Sequence, residues 1–495
     1  MPPPRLSMRG APVRGGGPSG GVRTPASSRA GLQSEVGRIG RAISFTVVVA
    51  ALSLLFSGAA APVLAGITTA SFILFVWLWS LQFRPTLSYV DPAILFQFVV
   101  VLYTVFPLLT MAVYGYQFGR AGDNRLYHIS LDDRIIAEVW ICANLIMAGF
   151  GGAYLLCRKS RMPSLPDKDR AVSSALWIGF AISFTVLVGV SLVRGTGEYL
   201  EEYRFIADLP VLVVQILNIN SSLFNAALFG LLAIYFRTNP RIAVALALVA
   251  ITFFLLTTQA RVSVVLVAAG AFISADHFRR RFSPALLAVC AALGLIAFLA
   301  AGLFREGLEA FSDAAGRTEF TAVFITALDI RQLYVIGSTA DMNANLLFSD
   351  LLRLVPQQII WFEKVDPATW YVSTFYPYYA EAGGGLAFGM MSESILGGGG
   401  PAGFVRGLAL GAVLSVILNF LTARPSIWRV IIYMWLVAAL YHSFRDTTFT
   451  LVGRFAFQLA PAILVLFVLS KILSGRDRGA RRFGPSRGDS AAEAV

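Results

Sequence analysis

Apolar residues gather into twelve long runs along this chain, and polar and charged residues are confined to the gaps between them. The runs fall near 43–60, 62–83, 91–114, 135–157, 171–193, 211–236, 242–258, 262–278, 284–304, 401–421, 427–443 and 455–473. Most reach the roughly 20 residues that a helix needs to cross a bilayer. The pattern predicts an all-α, polytopic membrane helix bundle of about 12 transmembrane helices.

The gaps are unequal. Those at 84–90, 158–170, 237–241, 279–283 and 422–426 are too short to hold an active site, and they alternate with longer ones at 115–134, 194–210 and 444–454. One segment, 305–400, is far longer than the rest and is expected to form a large external loop of short helices. The predicted order is spans 1–9 over 41–304, the loop over 305–400 and spans 10–12 over 401–473. Residues 1–40, rich in Pro, Gly, Ser and Arg, read as a disordered basic arm, and 474–495 as a similar tail. The arm is not a cleavable signal sequence, because its basic region is too long and the first apolar run leads straight into a second. No internal repeat is evident, which weakens an inverted-repeat transporter reading.

Charge gives the bundle an orientation. With the N-terminus placed in the cytoplasm, 26 of the 40 Lys and Arg fall inside, among them Arg158, Lys159, Arg161 and the run Arg279–Arg281. Loops rich in Lys and Arg stay on the cytoplasmic side, so both termini are expected there. The composition, 57% hydrophobic and 14% charged, lies far from the roughly 25% charged residues of soluble proteins. The net charge of +12 then needs no nucleic acid as partner, since basic loops beside anionic lipid account for it. Cys142, Cys157 and Cys290 all fall in predicted spans, with neither a metal spacing nor a disulfide framework.

The chemistry is expected on the outer side. Its cations between 194 and 454 are Arg194, Arg204, Arg261, Arg305, Arg317, Arg331, Arg353, Arg406, Arg445 and Arg454, with Lys364 the only lysine. A guanidinium is a permanently charged planar fork suited to phosphate and diphosphate, so the bias points to an anionic ligand. Pairing with nearby Asp and Glu, or with lipid phosphates, is the competing explanation for any one of them. Arg261 sits in a turn so short that it must lie at the apolar boundary, where charge is costly unless paired or facing a wet cavity, which makes it a functional candidate.

Other features are less specific. Gln215, Asn218, Ser222 and Asn225 share one face of span 6 and would line a polar cavity or, more simply, bond to a neighbouring helix. Trp361, Phe362, Trp370, Tyr371, Phe375, Tyr376, Tyr378 and Tyr379 cluster within the large loop. An aromatic belt at the interface explains most of them, with Trp370, Tyr376 and Tyr379 the candidates for stacking on sugars. Of the three histidines, His277 is expected inside, His128 lies in a short outer loop, and His442 stands at the outer end of span 11 beside Arg445. His442 is therefore a candidate proton acceptor, as is Glu393, which precedes the helix-interrupting run Gly397–Pro401. Asp132 and Asp133 suggest a helix cap more than a metal site, and no metal is expected.

The stretch from Gly383-Gly384-Gly385-Leu386-Ala387-Phe388-Gly389 to Glu393, followed by Gly400-Pro401-Ala402-Gly403, resembles the bacterial O-antigen and oligosaccharide repeat-unit polymerases of the Wzy type. The segment from Leu354 to Lys364 is similar to a proline-to-lysine segment of the same loop, although Gln357 stands where a basic residue is looked for. The likeness covers about 345–412. It implies a glycosyltransferase-C-like fold in a bacterial inner membrane with a periplasmic loop. The implied partners are undecaprenyl-diphosphate-linked oligosaccharides, membrane lipids, a chain-length regulator and a flippase; no cofactor is implied. The implied reaction transfers a growing glycan from its lipid diphosphate to a new lipid-linked unit. Arg261, Arg305, Arg406, Arg445 and Arg454 would hold the diphosphate, and Glu393 or His442 would take the hydroxyl proton. A ligase using the same donor, or a flippase or carrier without catalysis, are the other readings. A carrier would place ionisable groups near the bilayer midplane, and these spans hold few.

Overall fold

The computed structural model describes residues 26–84, 86–114, 133–166, 170–194, 209–257, 261–290, 292–294, 296, 318–335, 352, 354–355, 357–361, 364, 366–377, 380, 386–448 and 450–482. All regular structure among the described residues is helical. The first eight helices are α1 Ala26–Leu55, α2 Ala61–Phe83, α3 Pro92–Tyr114, α4 Asp133–Cys157, α5 Arg170–Arg194, α6 Val211–Thr238, α7 Pro240–Thr257 and α8 Arg261–Phe278. They are followed by α9 Glu319–Val335, α10 Pro367–Phe375, α11 Gly389–Leu396, α12 Gly400–Leu421, α13 Ile427–Ala439, α14 His442–Arg445, α15 Thr450–Arg454 and α16 Ala460–Arg482. A π turn, Phe455–Leu459, joins α15 to α16.

Among the described residues, nine helical stretches are long and apolar enough to cross a membrane, which makes the chain a multi-pass helical membrane bundle. They are Glu35–Leu55, Ala61–Phe83, Pro92–Val113, Asp133–Cys157, Arg170–Val193, Leu212–Thr238, Gly400–Leu421, Ile427–Arg445 and Thr450–Gly475. The three remaining apolar runs carry the shorter helices Pro240–Leu256, Ser263–Phe278 and Pro284–Gly294. The spans within α4 and α6 and the one beginning with α13 are 83%, 72% and 78% buried, against 22% for those in α1, α5 and α16, so the first three form the centre and the last three lie at the rim.

The α4–α12 pair is held by small residues. Gly403, Gly407 and Gly411 lie four apart on α12 and face α4; an added Cβ at Gly407 would fall 2.2 Å from the Ile146 carbonyl oxygen, and one at Gly411 2.5 Å from that of Phe150. Gly149 returns the contact, its own Cβ position lying 2.3 Å from the Phe404 carbonyl oxygen. Where lipid replaces water, such close backbone approach is what holds helices together. The contacts advance together along both helices, so α4 and α12 run parallel.

The helix α1 begins at Ala26, within the segment 1–40, and α16 continues to Arg482, within the segment 474–495. Each extension adds polar, helix-compatible turns to a membrane helix that is already nucleated, so its formation adds one hydrogen bond per residue fixed. The segment 305–400 also contributes to the bundle: Val323, Phe324, Ile325, Ala327, Leu328 and Ile330 of α9 are buried, and α9 packs on α3, α4 and α11.

Candidate functional site

At the end of the bundle where α11 hands over to α12, the chain makes an abrupt reversal. Gly397 caps α11, and Gly398 and Gly399 follow with φ of 115° and 74°, a region open to glycine at no steric cost. Pro401 then sits in the first turn of α12, where its missing N–H is harmless. This reversal sets Glu393 of α11 beside Arg406 of α12. The Arg406 Nη1 donates to Glu393 Oε2 at 3.1 Å and to Thr448 Oγ1 at 3.2 Å. The Thr448 backbone N–H, at 3.0 Å, and its hydroxyl donate to the same carboxylate oxygen. Glu393 is only 3% exposed, and a carboxylate so buried needs such partners.

A second cluster stands two residues from Thr448. Here His442 and Asp446, one helical turn apart, bond through Nδ1 and Oδ2 at 2.9 Å. Arg454 reaches both: its Nη2 donates to Asp446 Oδ2 at 3.0 Å, and its Nη1 lies 3.1 Å from His442 Nε2. Arg445 Nη1 donates to the other carboxylate oxygen of Asp446 at 3.0 Å. Gly389 ties this segment to α11: its N–H donates to the Asp446 carbonyl at 2.8 Å, and its φ of 84° is one that a side chain would rarely adopt. A Cβ there would also lie 2.5 Å from Val323 of α9.

The electrostatics follow from these contacts. A guanidinium only donates hydrogen bonds, so Nε2 of His442 accepts, and the ring proton resides on Nδ1 facing Asp446. Burial alone would raise the Asp446 carboxyl. The hydrogen bond to His442 and the charges of Arg445 and Arg454 outweigh it and hold the carboxyl at about 2, well below its ordinary 3.8. Three guanidiniums, Arg406, Arg445 and Arg454, face two carboxylates, so one positive charge remains while His442 is neutral. Side-chain exposure rises from 3% at His442 to 21% at Asp446, 27% at Arg445 and 37% at Arg454. The cluster therefore opens toward its arginines.

The structure thus brings together five sequence-selected residues: Glu393, His442, Arg406, Arg445 and Arg454. Arg261 begins α8, but its side chain, like residues Arg305 and Tyr379, lies outside the described residues. The Tyr376 hydroxyl donates to Asp329 of α9, as does that of the buried Tyr371, and Trp370 packs edge-on to Phe375 with ring centres 5.5 Å apart. These rings brace α10 against α9, and Tyr371 also contacts Phe388 at the start of α11. Gln215 of α6 donates to the Phe457 carbonyl at 2.7 Å, a helix-to-helix bond into the π turn beside Arg454.

Sequence reasoning passed over Asp446, Thr448 and Asp329. The four-residue spacing from His442 to Asp446 was a usable signal for the first, and a lone acid in the apolar run of α9 for the last. Thr448 offered none, because its role arises from the fold of the segment between α14 and α15. Among the described residues, no group of three or more His, Cys, Asp or Glu is placed to hold a metal. A cavity of about 590 Å³, lined by Pro166, Arg237, Thr238 and Trp428 among others, opens where α6 ends and α13 begins, away from this cluster. Comparison of the chain with protein-family models, with curated proteins and with solved structures finds no significant match.

Proposed function

We propose that the protein is a lipid-diphosphate-linked oligosaccharide polymerase of the Wzy type, with about 12 membrane passes and a glycosyltransferase-C-like plan, in a bacterial inner membrane. On this reading the Glu393–His442 end faces the periplasm and both termini face the cytoplasm. The observation that carries it is the pairing of Arg445 and Arg454 with Asp446, the partner of His442, with Arg454 also on the unprotonated Nε2 of that histidine, at one end of an apolar bundle. Such a site suits a negatively charged leaving group and a hydroxyl nucleophile, both delivered by lipid anchors.

In the proposed step, the terminal hydroxyl of the acceptor repeat unit loses its proton to His442 Nε2. Its oxygen forms a bond to the anomeric carbon of the growing glycan, and the bond from that carbon to the undecaprenyl diphosphate breaks with its electron pair on the diphosphate. Arg445 and Arg454, the most exposed guanidiniums, stabilise the charge that develops there. Glu393 accepts three hydrogen bonds on one oxygen, so its role is to fix Arg406 and the Thr448 turn. His442 is the base.

The test is the surface-glycan ladder of a strain lacking the gene, complemented with wild type or with His442→Gln, at checked protein levels. The expected result is loss of the ladder, with one repeat unit left on the core, in the deletion and the variant alike. Bare core with long glycan stranded on the lipid carrier would assign a ligase instead, and an unchanged ladder would reject both.

A further inference from the structure

The nitrogen assigned as proton acceptor is already occupied. Arg454 Nη1 stands 3.1 Å from His442 Nε2, while Nη2 of the same guanidinium holds Asp446 at 3.0 Å. A lone pair that accepts from a permanent cation is unavailable to a hydroxyl proton. Of the groups around His442, Arg454 is also the one best placed to leave. It is the most exposed of them, at 37%. It ends α15 where the backbone enters the π turn Phe455–Leu459, and such single π turns recur at functional sites. Arg445 remains on the other oxygen of Asp446, so the carboxylate keeps a charged partner when Arg454 departs.

We propose that Arg454 is a mask on His442, released by the diphosphate of the donor. The proposal rests on the diphosphate-binding reading above. A diphosphate offers the guanidinium a paired set of charged acceptors, whereas in the resting site the same fork is divided between a neutral ring nitrogen and a carboxylate that it shares with His442 and Arg445. As Arg454 turns to the phosphate oxygens, Nε2 is exposed, while Asp446 keeps the proton on Nδ1. The base becomes competent only when the leaving group is seated. Donor binding therefore precedes acceptor activation, and a hydroxyl arriving first meets a histidine that cannot deprotonate it. Arg454 is a positioning residue in the resting site and contacts the leaving group in the loaded one.

Nitrogen-15 NMR of the full chain with labelled histidine reads this directly, because the chain has three histidines and His442→Gln identifies the signals of interest. The probe is inorganic pyrophosphate, with sodium sulfate at matched ionic strength as control and calorimetry to report binding. The expected resting state has a protonated Nδ1 and a hydrogen-bonded, unprotonated Nε2. Pyrophosphate is expected to move the Nε2 signal toward that of a free ring nitrogen, with Nδ1 unchanged. In Arg454→Met and Arg454→Ala that signal should start at the released position and pyrophosphate should not move it further. Saturable pyrophosphate binding with unchanged His442 signals, or a resting Nε2 that carries the proton, would overturn the mask and leave the diphosphate site standing. No binding by wild type would overturn the diphosphate reading and the mask together.

Discussion

At the scale of single residues, the account turns on Asp446 and Glu393, two carboxylates with different duties. Asp446 fixes the ring proton of His442 on Nδ1 and so leaves Nε2 as the acceptor. Asp446→Asn keeps the shape but offers an amide that can turn its NH2 toward the ring, and it should lower the transfer rate by about 100- to 10,000-fold, the range for loss of a general base. The carboxyl is held at about 2 in the folded protein, below its ordinary 3.8, so its stabilising contribution is complete above the higher value and is lost as pH falls through the lower. The melting-temperature difference between wild type and Asp446→Asn should therefore be constant from about pH 5 to pH 8 and shrink only under stronger acid. Glu393, itself buried, instead neutralises Arg406, whose side chain is 14% exposed. Glu393→Gln leaves Arg406 short of its counter-ion and should cost about 3–5 kcal/mol. Glu393→Gln with Arg406→Met should cost less than the sum of the single changes in a double-mutant cycle; additive losses would mean the pair is not coupled.

At the scale of elements, the spans were legible because long apolar runs have few other ways to fold in a membrane protein. The helix α9 was less so: Glu319, Asp329 and Arg331 break its apolar pattern, and its place in the bundle depends on partners distant in sequence. Asp329 accepts on Oδ2 from Tyr371 and Tyr376, and Arg331 pairs with Glu138 of α4. The site was partly legible for a related reason. Arginine bias and the lone His442 marked candidates, and the glycine run marked the reversal at α11. That these meet follows from the parallel packing of α12 on α4, written in the four-residue spacing of Gly403, Gly407 and Gly411. Gly407→Ala is the sharp test of that packing, since its new methyl would meet the Ile146 carbonyl at 2.2 Å and force the helices apart. It should destabilise the protein by about 1–3 kcal/mol, the usual cost of overpacking. A thermal shift assay in detergent reads it, with Gly66→Ala, where the added Cβ meets nothing within 4 Å, as the neutral control.

At the scale of the whole molecule, two polar networks occupy opposite ends of α12. Buried Arg158, beyond the last turn of α4, donates to Asn419 at 2.9 Å, to Tyr154 at 3.2 Å and to the Arg161 carbonyl at 2.9 Å. Tyr154 in turn donates to Asp91 at 2.7 Å, so one polar staple joins the ends of α4 and α12 to the start of α3. From Arg406 to Asn419 the helix α12 is about 20 Å long at roughly 1.5 Å per residue, most of an apolar core. Arg158 and Arg161 of the staple lie at one end of α12, and the Glu393–His442 cluster lies at the other. That separation suits chemistry at one membrane face better than passage through the bilayer. The central claim is that this cluster moves a glycan from one lipid diphosphate to another, and the most direct measurement is glycan length after purified protein in proteoliposomes is given the undecaprenyl-diphosphate-linked repeat unit of its own strain. The account predicts a series of lengthening chains with release of undecaprenyl diphosphate, and loss of both with His442→Gln. Repeat units that stay single in the presence of well-folded wild type, or chains that lengthen equally well with His442→Gln, would contradict it.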